Sequence, residues 1–257
     1  MALDHEAKKD FFFYLLNAKD PETGLGFTTK ELWGEANVLM IAGSDTTATA
    51  LSSVLFHLCK TPAALAKLQE ELRSKFQSAD NIVPGKELAD CHYLKACIDE
   101  AMRMAPPVPG LLPREVISTC VIDEHEVPEG TVIGVPIFTI HHNPAYFPDP
   151  FAYVPERWLH VDEEALATAL SAFNPFSIGA RGCIGKSVAY LELRLAIAKL
   201  VWGFDMKPLP TEGKAELWRE AFHPNAEGYR LMDHFTCKKE GPVVKFSERV
   251  LPVMAEA

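Results

Sequence analysis

Apolar positions in the first half of the chain recur at three- and four-residue spacings, the pattern of amphipathic helices. Thr28-Thr29-Lys30-Glu31 is a capping box opening an apolar pattern that runs over about residues 28–59. A helix of roughly 30 residues spans about 45 Å, so it should cross the whole body of a fold. Thr61-Pro62 predicts the next helix start, with Leu65, Leu68, Leu72 and Phe76 on one face. A third helix is predicted over 93–104, stopped by Pro106-Pro107. The middle of the chain changes character. Segments 116–122 and 131–140 are rich in β-branched residues around a Pro128-Glu129-Gly130 turn, which predicts short strands. Residues 143–157 carry four prolines in an irregular loop. A further helix is expected over 184–202, followed from Asp205 by strands and turns. Neither an internal repeat nor a linker interrupts this order, so the expectation is one unit over 1–257, mainly α with small β-sheets (α+β).

Composition narrows the function classes. With 257 residues, 48% of them hydrophobic, and a net charge of −10, the chain lacks the basic surplus that nucleic-acid binding requires. Its six cysteines form no CxxC pair, which points to a reduced, intracellular protein. The first ten residues are polar rather than signal-like, and no uninterrupted apolar run reaches membrane-spanning length, so no transmembrane segment is expected.

The segment richest in chemistry is 176–185, Phe176-Ser-Ile-Gly179-Ala-Arg181-Gly-Cys183-Ile-Gly185, directly before the late helix. A cysteine at a helix N-terminus is stabilised as thiolate by unpaired N–H groups and the helix dipole. Gly179 and Gly185 permit unusual backbone angles and close approach of a flat ligand. Arg181 offers a charged fork to a carboxylate, and Phe176 could shield the sulfur from water. A buried, inert cysteine in a glycine-rich loop is the competing interpretation of these residues taken singly. The spacing F-x-x-G-x-R-x-C-x-G resembles the haem-binding signature of the cytochrome P-450 superfamily.

Three further segments extend that resemblance. Glu100-Ala-Met-Arg103 puts a carboxylate and a guanidinium on one helix face, which alone fits a surface ion pair. With Pro155-Glu156-Arg157-Trp158 it is similar to the family's E-x-x-R helix and P-E-R-F/W loop. The implied triad is Glu100, Arg103 and Arg157, locking the loop that carries Cys183. Ala42-Gly43-Ser44-Asp45-Thr46-Thr47 puts poor helix formers inside the long helix. A Thr46 hydroxyl bonded to the Ala42 carbonyl would bend the turn and leave a groove at Gly43, and an ordinary kink fits equally well. The segment resembles the family's oxygen-binding motif, in which Asp45 and Thr46 would deliver protons. Arg114 stands where an arginine of the family often pairs with a haem propionate; as a bare residue it is a surface arginine at a strand start. His141 and His142, adjacent on a segment expected to be extended, should point opposite ways and make no metal pair.

The resemblance implies haem b (iron protoporphyrin IX) ligated axially by Cys183. It also implies O2 activation, a small apolar organic substrate oxidised by hydroxylation, and electrons from a separate NADPH-dependent reductase. It points to a eukaryotic microsomal relative on the endoplasmic reticulum membrane. Members are about twice this length, so the expected equivalent is their C-terminal half, without the anchor and the roof of the substrate pocket. A monooxygenase fragment and a non-catalytic remnant binding haem weakly or not at all both fit; a cofactor-free helical interaction protein would leave four ordered motifs to chance.

Overall fold

The structure is a computed structural model that describes residues 9–159, 162–209, 229, 231–239 and 241–249. The predicted stretch 210–228 of the C-terminal tail and the first eight residues lie outside the described residues. Contacts group the chain into two units, 1–45 and 46–257, divided inside the long helix, where the sequence suggests a single unit.

In the first unit, helix α1 (Phe11–Asn17) is opened by Asp10, whose carboxylate accepts the Phe13 N–H at 3.0 Å. Helix α2 (Thr29–Lys60) begins at the capping box: Thr28 N–H donates to Glu31 Oε2 at 2.7 Å, and Glu31 N–H donates to Thr28 Oγ1 at 3.3 Å. The Thr28 N–H, with the Thr28 hydroxyl donating to the same oxygen at 2.8 Å, holds the Glu31 carboxyl below the usual carboxylate range. The first half of α2 exposes Trp33, Val38, Met40 and Ile41. By length and composition α2 could cross a membrane, with a mean hydropathy of 1.3 over its best window. That corrects the expectation that no segment has the necessary length and apolarity, although core helices of soluble proteins meet the same test.

In the second unit, the end of α2 shares the main core with α3 (Pro62–Lys75), α4 (Lys86–Ala89) and α5 (His92–Met104), and α3 packs against α5. The apolar stripe foreseen on α3 is the buried one: Leu65, Leu68, Leu72 and Phe76 join Val54, Leu58, Leu94 and Ile98 in the main core. Capping of α5 comes from another helix. Glu71 on α3 accepts the N–H groups of Tyr93 and Leu94, each at 2.9 Å, where Cys91 makes no side-chain cap.

Strands β1 (Arg114–Glu115), β2 (Cys120–Ile122), β3 (His125–Val127) and β4 (Val132–Ile133) form two antiparallel pairs, β1–β4 and β2–β3. The predicted strand over 131–140 stops at Ile133. Residues Ile137–His141 form instead a short helix, α6. Pro136 sets up that turn, and the N–H groups of Ile137 and Phe138 donate to the carbonyls of Gly110 and Pro109 rather than to a strand partner. Helix α7 (Glu163–Ala172) is capped by Asp162, and α8 (Lys186–Gly203) follows the cysteine segment. Antiparallel pairs β5 (Phe204–Pro208) with β8 (Val244–Glu248), and β6 (Leu231–Met232) with β7 (Lys238–Lys239), complete the described chain. The architecture is mainly helical with small sheets, as the sequence predicts.

Candidate functional site

Glu100 and Arg103, one turn apart on α5, are both fully buried. A bare pair of buried charges is costly unless every donor and lone pair is used. Here all are engaged. Arg103 Nε and Nη2 donate to the two oxygens of Glu100 at 3.0 and 2.9 Å. Its remaining donors reach the carbonyls of His141 (2.9 Å), Pro150 (2.7 Å) and Ala152 (3.1 Å). The five donors of the guanidinium are thereby used. Glu100 also accepts from Val154 N–H, Arg157 Nε and Trp158 Nε1, each at 3.0 Å. Glu100, Arg103 and Arg157 are thus brought together. Trp158 Nε1 and the Val154 amide are partners that sequence reasoning missed, although Trp158 sits beside Arg157 in the same motif.

From this hub two connections lead to the segment around Cys183. The carbonyl of His141 accepts from Arg103 while its Nε2 accepts the Asn174 N–H at 3.1 Å. On the other side Tyr190 of α8 donates its hydroxyl to Asp99 of α5 at 2.7 Å, and the Tyr190 ring packs 5.2 Å from that of Phe176. Burial raises the Asp99 carboxyl, outweighing the bonded Lys95 ammonium. The loop then turns on itself: Asn174 O accepts from Ser177 N at 3.0 Å, and Phe176 O accepts from Cys183 N at 2.8 Å. Ser177 and Gly179 hold left-handed backbone angles, φ +58° and +71°. A Cβ added at Gly182 would lie 3.2 Å from the Gly179 carbonyl oxygen, so this glycine, not singled out from sequence, permits the tight turn.

The six cysteines separate by environment. Cys59, Cys91, Cys97 and Cys237 are buried, and Cys120 and Cys183 are exposed. Burial pushes the Cys91 thiol up to about 11 and Cys237 to about 12, and raises Cys59 and Cys97 as well. These four are held as thiols. Of the exposed pair, Cys120 is in the β2–β3 hairpin, and Cys183 follows the left-handed turn at the start of α8.

The family model for cytochrome P-450 matches residues 1–226. Among curated proteins, a cytochrome P-450 monooxygenase of Gibberella zeae is 41% identical over 97% of this chain and 58% of its own length. Another, apf7 of Gibberella fujikuroi, is 38% identical over 95% of this chain and 47% of its own. The chain belongs to the cytochrome P-450 family. It spans about half the length of these relatives. A crystal structure of a cytochrome P-450 has the same fold, with a TM-score of 0.76 at 24% identity over 92% of this chain and 50% of that one.

Cytochromes P-450 carry a haem, and the donor set here suits one. Cys183 is exposed, as are the apolar Ile178 and Ile184 of the same segment, at 70% and 95%. A Cβ at Gly185 would come within 3.8 Å of that sulfur. Arg181 sits in the 3-10 turn Gly179–Arg181, exposed, and Arg114 at the start of β1 donates Nη1 to its neighbour Pro113 O at 2.8 Å. Ala42, Gly43 and Asp45 belong to the first unit and Thr46 to the second. Helix α2 runs through this P-450 motif unbroken. A Cβ at Gly43 would meet nothing within 4 Å, and Ser44 Oγ donates to Met40 O at 2.9 Å.

Proposed function

We propose that this chain is the part of a P-450 monooxygenase that binds haem b through the Cys183 thiolate and oxidises a small apolar organic substrate with O2. The observation that carries this reading is the contrast among the cysteines: four are held as buried thiols, Cys120 is exposed in a hairpin, and Cys183 alone is exposed in a turn tied to the hub through His141 and to Asp99 of α5 through Tyr190. Bound there, haem supplies reductive activation of O2, with the thiolate's electron density favouring O–O cleavage.

The chain's own residues take the following parts. Phe176 would shield the sulfur, and Gly179, Gly182 and Gly185 would leave space beside it for a flat ligand. Arg181 and Arg114 offer guanidinium forks to the ligand's carboxylates. Glu100, Arg103 and Arg157 fix the backbone on which the loop rests. The Asp45 carboxyl and Thr46 Oγ1 hold and pass protons to the oxygen site, and Ala42 and Gly43 leave room beside them. An NADPH-dependent reductase is the electron donor, and the endoplasmic reticulum membrane is the location.

The test is spectroscopic. The chain, expressed with haem supplied, should give on reduction and CO addition the red-shifted Soret band of thiolate-ligated haem, and Cys183→Ser should abolish it. A spectrum of free or bis-histidine haem in the parent chain, or survival of the band in the variant, overturns the assignment.

A further inference from the structure

We propose that His141 is a positioning residue for the cysteine loop, its Nε2 accepting the Asn174 amide and so tying the loop's first residue to the Arg103 hub. This rests on the reading of Cys183 as the iron ligand and adds a residue that reading does not use.

His141 ends α6 and is fully buried. Its two polar ends are used for different purposes. The backbone carbonyl takes a donor of Arg103 at 2.9 Å, which fixes where the residue sits. The side chain takes the Asn174 N–H at 3.1 Å, which fixes where the loop begins. From Asn174 the hold passes along the backbone, because Asn174 O binds Ser177 N at the left-handed residue, and Phe176 O binds Cys183 N. The ring stands between Phe173, stacked at 5.4 Å, and Phe147, edge-on at 6.3 Å, so it has little freedom to turn away.

The proton inventory separates a positioning role from plain packing. A backbone N–H can only donate, so Nε2 presents a lone pair and the ring proton is on Nδ1. Nδ1 is buried and makes no hydrogen bond of good geometry among the described residues, although the backbone of Arg103 and Met102 interacts with the ring. A buried donor so poorly paired contributes little that an apolar ring would lack. What an imidazole adds over a phenyl ring at this place is the Nε2 acceptor. Burial, and then the charge of Arg103, bring its pKa down to about 3, so the acceptor persists through the neutral range.

The experiment compares the parent chain with His141→Phe, which keeps the stacking and loses the acceptor, and His141→Gln, whose carbonyl can take the place of Nε2. In the haem-free chain, hydrogen exchange of the Asn174 amide should quicken roughly tenfold in the Phe variant, the weight of one lost hydrogen bond. Its urea midpoint should stay near that of the parent, because a poorly paired donor leaves with the acceptor. The Gln variant should restore slow exchange. With haem supplied, the Phe variant should lose part of the thiolate-type Soret band and the Gln variant should keep it.

Unchanged exchange at Asn174, or equal loss in the Phe and Gln variants, overturns the proposal and leaves His141 a packing residue. If the Phe variant does not fold, His141→Asn, whose carbonyl falls short of Asn174, takes its place against Gln with the same two outcomes. Absence of a thiolate band in the parent would refute the Cys183 reading, and the exchange measurement would still decide whether His141 holds the loop.

Discussion

The hub and the cysteine loop are connected through the His141 imidazole and the Tyr190 side chain, yet they solve opposite problems. At the hub two opposite charges are fully buried, and each donor and oxygen has a partner. In the loop the backbone is bent into left-handed turns at Ser177 and Gly179, and Ile178, Cys183 and Ile184 face solvent. A group meant to meet a ligand has to be open, and an open loop has few contacts to fix it. Precision is therefore held in neighbouring elements, and reactivity is left at the surface.

That contrast can be broken from either side. The largest effect is expected at the hub. Glu100→Gln leaves Arg103 and Arg157 without their counter-charge in a buried place, which should cost about 3–5 kcal/mol in urea unfolding. A loss under about 1 kcal/mol would show that water reaches the guanidinium groups.

Acid is the next lever. Burial first, and then the charge of Arg103, lower both His57 and His141 to about 3. Their unfolded-state value is near 6.5, so below that pH the unfolded chain binds protons that the folded chain refuses. The contribution of each histidine is complete above about pH 6.5. As pH falls from there towards 3, each withdraws up to about 1.4 kcal/mol per pH unit. Urea midpoints should hold from pH 7.5 to about 6.5 and then fall steadily to pH 4.5, and a profile flat over the whole range would mean that the rings are hydrated.

The smallest effect belongs to the loop. Gly179→Ala adds a methyl group that meets no atom within 4 Å, so its cost is only that of φ +71°, about 1 kcal/mol. An unchanged midpoint would show that the turn relaxes to an ordinary angle at no expense.

How far the sequence foretold these regions depends on where the decisive partners lie. The α2 capping box and the α3 stripe rest on residues close in sequence, and both are found where the pattern puts them. Glu100, Arg103 and Arg157 were picked out by motif resemblance, because periodicity says nothing of a contact 57 residues apart. Helix α6 was misread as strand: Ile137, Thr139 and Ile140 favour extended backbone, but their neighbours are the carbonyls of Pro109 and Gly110, whose approach no local rule reveals. His141 was undervalued for the same reason, being judged on an extended segment when it ends a helix. Glu71 capping α5 from another helix carries no sequence signal at all.

The three bonds from Arg103 to the carbonyls of His141, Pro150 and Ala152 share one property. Every residue type has a carbonyl, so these three bonds gauge the route of the chain, while of the side chains along it the guanidinium also meets the ring of Phe147, 5.3 Å away. Point changes at the exposed positions between 142 and 153 should accumulate freely over evolution, whereas Phe147 and Tyr153 are held by their own packing and bonding. An insertion or deletion there would shift the carbonyls out of reach and uncover a buried charge, so this stretch can drift in composition while its length stays fixed.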